Sequence, residues 1–177
     1  MKREFFRHNL NAIILAAGQG KRLAPLTEHK PKCLVNLFGK TILDWQISVF
    51  KKCGITDISI VTGYHSELID LPGLEFFQNK KFETTNMVES LFCASEKLNE
   101  STIVSYGDII FEKKVLDKLI QSKEDFSVVV DKNWKRYWEM RFDNPLDDAE
   151  SLKIDTDGNI TSIGQKTQKI DEIEGQY

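Results

Sequence analysis

The sequence predicts an α/β fold of three layers, a mainly parallel β-sheet between helices, with a small β-hairpin as an extension near the carboxyl end. Three observations carry this expectation. The apolar run 11–17 is uninterrupted, short and closed by Gly18, as befits a strand buried on both faces of a parallel sheet. Segments of strand and helix character alternate from there to Val130, which implies right-handed crossovers between parallel strands. Further on, Asp157-Gly158 sits between two apolar runs, a strong hairpin signal.

The elements follow in chain order. The first strand, 11–17, runs into a glycine-rich, basic loop. Over 42–53, Ile42, Leu43, Trp45, Ile47, Val49 and Phe50 fall at helical spacing, and Gly54 follows where a helix stops. A strand at 57–62 comes next. Residues 64–71 predict a short helix ended by Pro72-Gly73, and 74–78 a third strand. Met87, Val88, Leu91, Phe92, Ala94, Ser95 and Leu98 give 87–98 the period of an amphipathic helix, and 102–106 reads as a strand after it. Another helix, 112–121, precedes the β-branched run 126–130, which reads as one more strand. The aromatic and charged stretch 134–148 leads to the hairpin, 150–155 and 159–163.

Bulk properties narrow the function. A chain of 177 residues, 41% hydrophobic, buries a core without staples and makes one domain over 11–177. Met1–Leu10, with Lys2, Arg3 and Arg7, reads as a basic, disordered lead. A net charge of -3 gives no global attraction for nucleic acid or an anionic membrane, so anion binding has to come from a local cluster. No stretch has the composition of a signal peptide or a membrane span. Cys33, Cys53 and Cys93 are odd in number and far apart, which points to a reducing, cytoplasmic setting.

The local cluster follows the first strand: Leu15-Ala-Ala17-Gly18-Gln19-Gly20-Lys21-Arg22-Leu-Ala-Pro25-Leu-Thr27, then Lys30-Pro31-Lys32-Cys-Leu34. Glycines let backbone N–H groups approach a nucleotide closely, while Arg22 offers a planar fork for phosphate oxygens and Lys32 a compact point charge. A bare Gly-x-Gly equally turns a chain after any strand. The third glycine of a dinucleotide fingerprint is absent, as is the Gly-Lys-Ser/Thr of a Walker A loop. Gly107-Asp108 places a carboxylate just past another buried strand at the same sheet edge. Magnesium prefers such hard oxygen together with substrate phosphate, although an Asp after Gly also serves as a turn residue.

Taken whole, the run resembles the signature of the sugar-phosphate nucleotidyltransferase superfamily, Leu-Ala-Ala-Gly-x-Gly-x-Arg-Leu-x-Pro-x-Thr with Pro-Lys-x-Leu shortly after. The resemblance implies a Rossmann-like nucleotidyltransferase fold. In it Ala17, Gly18, Gln19, Gly20 and Lys21 would meet the nucleotide, Arg22 and Lys32 the triphosphate, and Gly107-Asp108 a Mg2+ ion. The family adds a second metal-binding Asp on a late strand, for which no residue here matches. Residues 171–177 resemble the start of a core strand that relatives continue, which implies a carboxyl-terminal truncation.

Within that superfamily, Asn86-Met-Val-Glu-Ser90-Leu91 resembles a segment of bacterial choline-phosphate cytidylyltransferases that borders the nucleotide, which makes CTP the expected donor. Taken by themselves, Thr85 or Asn86 would simply cap a helix. The stretch from Asp131-Lys-x-Trp134 to Asn144-Pro-Leu-x-Asp148-Ala-Glu150 looks like the cytidylyltransferase branch of capsule synthesis that includes a phosphoglutamine cytidylyltransferase. A small phosphorylated acceptor bearing an amine follows from the resemblance. Trp134, Trp138 and Arg141 are the candidate acceptor residues, since an aromatic ring faces a cationic head group favourably, though such rings also simply cover a hairpin. Lys166 lies roughly where sugar-phosphate relatives hold the acceptor phosphate, and is equally compatible with a solvated lysine. A sugar-1-phosphate nucleotidyltransferase using UTP, dTTP or GTP, and a non-catalytic nucleotide-binding regulatory module, both stay compatible with these residues. Oligomeric state stays open as well.

Overall fold

The computed structural model describes residues 10–98 and 101–177, so most of the amino-terminal lead lies outside the described residues. Two compact units result, one ending at Ile120 and one spanning Gln121–Tyr177.

In the first unit, strand β1 (Asn11–Ala16) is the centre of a four-stranded parallel sheet. It pairs on one side with β4 (Ile58–Thr62) and on the other with β6 (Thr102–Tyr106), and β5 (Glu75–Gln78) lies outside β4. The apolar run of β1 is divided by strand alternation. Ala12, Ile14 and Ala16 turn to one face, where they pack with Ile58 and Ile60 against Leu43, Ile47 and Phe50 of helix α1 (Ile42–Lys52). Ile13 turns to the other, packing with Val61, Ala94, Leu91 and Leu98. Helices therefore cover both faces, as the unbroken hydrophobicity of β1 requires.

Helix α1 begins with a capping box. The Asp44 N–H donates to Thr41 Oγ1 (3.0 Å) and the Thr41 N–H to Asp44 Oδ2 (3.2 Å), satisfying two amides that the helix itself leaves unpaired. Gly54, at φ +83°, ends it. Before it lies a short hairpin absent from the sequence expectation, β2 (Asn36–Leu37) and β3 (Lys40–Thr41).

Three expectations need correction. Residues 64–71 form only a single 3₁₀ turn, Ser66–Leu68, entered through His65 in the left-handed region. The helix expected over 87–98 is divided into α2 (Met87–Phe92) and a 3₁₀ turn, Ser95–Lys97. The β-branched run 126–130 is no strand: Phe126 is 96% exposed, and no described strand lies alongside to supply the ladder that β propensity depends on. Helix α3 (Lys113–Gln121) matches its expectation closely.

The second unit contains α4 (Trp134–Glu139) and the expected hairpin, β7 (Glu150–Ile154) with β8 (Ile160–Lys166), antiparallel. Asp155 organises its turn, accepting from the amides of Asp157 and Asn159. A small core of Trp134, Ala149 and Ile173 holds the unit, and the end of the chain is tied in through reciprocal backbone bonds between Asp131 and Gln176.

Candidate active site

The site is built where β1 and β6 end side by side. Ala17 closes β1, and its carbonyl accepts the Tyr64 amide (3.0 Å) from the segment that leaves β4. Eleven residues on, the Tyr64 hydroxyl donates to the carbonyl of Glu28 (2.6 Å), so one residue anchors both ends of the glycine loop. Gly63, just before, fits tightly: a Cβ there would lie 2.6 Å from the Ala17 oxygen and 2.8 Å from Phe82 Cβ.

Inside the loop the two glycines differ. Gly20 has φ +70°, and an added Cβ would meet Lys32 Cβ at 2.9 Å, so its missing side chain makes room for the stem of Lys32. Gly18 is exposed, does not adopt a left-handed backbone, and has nothing within 4 Å of where a Cβ would sit. Its openness faces outward. The Gly20 carbonyl accepts from the Leu23 amide and from the buried Thr27 hydroxyl (2.9 Å each), which folds the 3₁₀ turn Lys21–Leu23 and places Arg22 on the exposed surface of the loop.

Lys32 opens the next 3₁₀ turn, Lys32–Leu34, and its ammonium donates to Asp108 Oδ2, joining residues 76 apart in sequence. Both side chains are about one-third exposed (31% and 35%). Asp108 reaches this position because Gly107 lies against β1: the Gly107 amide donates to the Leu15 carbonyl (2.8 Å), and a Cβ there would crowd Ala16 Cβ at 2.9 Å. The thiol of Cys33 lies buried in the core beside them, and burial pushes its pKa up to about 12, with the negative charge of Asp108 adding to the shift. It is no nucleophile.

Beside the loop, Asn86 caps α2, its Oδ1 accepting from the amides of Val88 (2.9 Å) and Glu89 (3.2 Å). Ser90 is buried, its hydroxyl donating to the Asn86 carbonyl and accepting from Asn79. Asn79, 4% exposed, was not singled out by the sequence: its Nδ2 donates to Thr85 Oγ1 (2.9 Å) and Ser90 Oγ (3.0 Å), and its Oδ1 accepts from the Lys81 amide (2.9 Å). Phe82, in the turn so organised, packs on Gly63 and so links it to Ala17.

The candidate acceptor residues lie in the second unit. Trp134, 4% exposed, belongs to that unit's core and meets Trp138 edge to face with centroids 6.0 Å apart. The guanidinium of Arg141 sits 5.2 Å from the Trp138 ring centre, so the chain's own cation occupies that ring, and the buried Trp138 Nε1 has no hydrogen-bond partner among the described residues. Lys166 ends β8, exposed. Trp134, Trp138 and Arg141 thus come together, with Trp134 as the buried support.

A parallel sheet whose first strand runs into a glycine loop, with the Lys32 ammonium on the Asp108 carboxylate at its carboxyl edge, is the architecture of a nucleotidyltransferase-type domain. The chain belongs to the MobA-like NTP transferase domain family, which matches over residues 12–151. It is 43% identical to CTP:phosphoglutamine cytidylyltransferase of Campylobacter jejuni over 181 aligned positions, covering 95% of this chain and 70% of that protein. With choline-phosphate cytidylyltransferase of Streptococcus pneumoniae it shares 36% identity over 64% of this chain and 51% of the relative. The solved CTP:phosphocholine cytidylyltransferase of Streptococcus pneumoniae superposes with a TM-score of 0.64 at 27% identity, over 87% of this chain and 63% of that one. The chain thus spans between half and about 70% of the length of these relatives. No helix among the described residues is long and apolar enough to cross a membrane.

Proposed function

We propose that the chain is the nucleotide-binding part of a cytidylyltransferase that transfers CMP from CTP to a small phosphorylated acceptor bearing an amine, such as phosphocholine or phosphoglutamine. The observation that carries this is the meeting of Lys32 and Asp108 beneath the glycine loop, in a chain whose relatives at 43% and 36% identity both bear the names of cytidylyltransferases.

An oxygen of the acceptor phosphate attacks the α-phosphorus in line, the bond from that phosphorus to the β-phosphate bridging oxygen breaks, and pyrophosphate leaves with the electron pair. Backbone amides from Ala17 to Lys21 hold the nucleotide, and Arg22 and Lys32 stabilise charge on the phosphate oxygens as it builds. The residues fit a magnesium ion: Asp108 is an accessible hard carboxylate that already faces a cation, the Lys32 ammonium, and magnesium commonly takes one or two carboxylates with substrate phosphates completing its shell. Asp108 would hold it, and the ion would neutralise triphosphate charge when bound.

Asn86 and Ser90 border the nucleotide in this reading, with Gly107 giving Asp108 its place. Trp138, Arg141 and Lys166 contact the acceptor, and Trp134 supports Trp138 from below. Cys33, Cys53 and Cys93, odd in number and far apart in sequence, support a cytoplasmic setting. The product, the amine-bearing acceptor joined through its phosphate to CMP as a cytidine diphosphate derivative, suits decoration of a cell-surface polysaccharide or lipid.

The test is pyrophosphate release with magnesium, CTP and phosphocholine or phosphoglutamine, with UTP, dTTP and GTP as competing donors. Lys32→Ala and Asp108→Ala should each lower turnover by roughly 10²–10³-fold. Their Tm should barely move, because a part-exposed ion pair contributes about 0–1 kcal/mol to stability. Unchanged turnover in both variants refutes the assignment, and preference for UTP, dTTP or GTP moves it to sugar-phosphate chemistry.

A further inference from the structure

Gln46 is a polar residue on the apolar face of α1, 1% exposed, between core neighbours Leu43, Ile47 and Phe50. Such a carboxamide is costly to bury unless every hydrogen-bonding group is matched. Here each is. The two Nε2 hydrogens go to the carbonyls of Tyr106 (2.9 Å) and Ile109 (2.8 Å), and Oε1 accepts from the Ser105 hydroxyl (3.0 Å). Those two carbonyls bracket Gly107-Asp108. The third tie on this turn is the Gly107 amide on Leu15, with no room for a side chain at Gly107.

We propose that Gln46 is a positioning residue for Asp108, fixing from within the core the turn that presents the carboxylate to Lys32. The inference rests on the reading that Asp108 serves the nucleotidyl-transfer site. It follows from geometry: Asp108 lies two residues after the Tyr106 carbonyl and one before that of Ile109, and its own side chain is bonded to Lys32, so the direction of the carboxylate is set by the turn behind it. Replacement by an apolar residue of similar size leaves two carbonyls without their donor and frees the turn.

The role separates from mere core stability in a double-mutant cycle on the full 177-residue chain. The quantity read is the factor by which magnesium tightens CTP binding, measured by calorimetry with and without the ion. Asp108→Ala and Gln46→Leu should each reduce that factor by roughly 10- to 100-fold, and the double variant should lose no more than Asp108→Ala alone. Without nucleotide or metal, Gln46→Leu should also speed amide hydrogen exchange over residues 106–110 ahead of the rest of the sheet. Ser105→Ala, which removes one bond to Gln46 and leaves the core volume nearly intact, should show a smaller loss in the same direction and keeps the test open if Gln46→Leu does not fold. Gln46→Leu and Ser105→Ala both retaining the full magnesium effect while Asp108→Ala loses it, or losses that multiply in the double variant, overturn the proposal. An Asp108→Ala variant with an undiminished magnesium effect instead removes the reading of Asp108 beneath it.

Discussion

Gly18→Ala separates what the glycine loop needs for folding from what it needs for the proposed ligand. No atom lies within 4 Å of the added methyl, and the backbone there is outside the left-handed region, so the folded protein accommodates alanine. Where the native conformation suits alanine, losing glycine's freedom in the unfolded chain stabilises by about 0.4–1 kcal/mol, so Tm should stay level or rise slightly. A nucleotide lying against the backbone would meet the methyl as an overpacked contact costing about 1–3 kcal/mol, or roughly 5- to 150-fold in the Kd for CTP. Gly20→Ala is the contrasting case: it carries left-handed strain of about 1–2 kcal/mol and displaces the stem of Lys32, so Tm and affinity should both fall. Thermal unfolding and CTP titration calorimetry on both variants read the difference. A Gly18→Ala protein that binds CTP as wild type refutes close approach of the ligand at this backbone, and one that melts earlier refutes the steric argument itself.

Gly63→Ala should destabilise by about 1–3 kcal/mol and weaken CTP binding together, because the new methyl would press on the Ala17 carbonyl, seen as a lower midpoint in urea unfolding and a higher Kd. Asn79→Ala should cost about 1–3 kcal/mol and raise the KM for CTP more than it lowers kcat, since it frees Thr85 and Ser90 without touching Lys32 or Asp108; an unchanged KM with reduced kcat argues against that placement. Iodoacetamide at pH 8 should modify exposed Cys93 and spare Cys33 until the chain unfolds, as peptide mapping would show. The folded thiol of Cys33 is held up to about 12, so the unfolded chain releases that proton first: its stabilising contribution is complete below about pH 8.5 and is lost as pH rises toward 12, which alkaline unfolding curves of Cys33→Ser and wild type should resolve.

Much of this was legible locally. An apolar run of six residues needs burial on both faces, and glycine after it marks a turn, so β1 and the start of its loop follow from composition and order. The stop of α1 at Gly54 and the hairpin turn at Asp157-Gly158 are equally local. Residues 126–130 failed because β-branched side chains favour a strand only when a neighbour supplies the ladder. The helix expected over 87–98 gives way after Phe92, where Cys93 and Ala94 lead into a tighter turn. Trp134 reads as an aromatic available to a ligand until its burial beside Ala149 and Ile173 is seen.

By itself, the sequence determined the parallel α/β class, the place of the glycine loop and the residue types able to carry charge there, because these depend on short-range order along the chain. Only the tertiary structure decided which of those groups meet. Lys32 reaches Asp108 across 76 residues because β1 and β6 are hydrogen-bonded neighbours, and Gly20 leaves space for its stem. Gln46 and Asn79 carry no signal in composition or period, since an amide reads as a surface group. Their meaning arises from burial, where every donor and acceptor must find a partner and the partners found are the turns that hold the site.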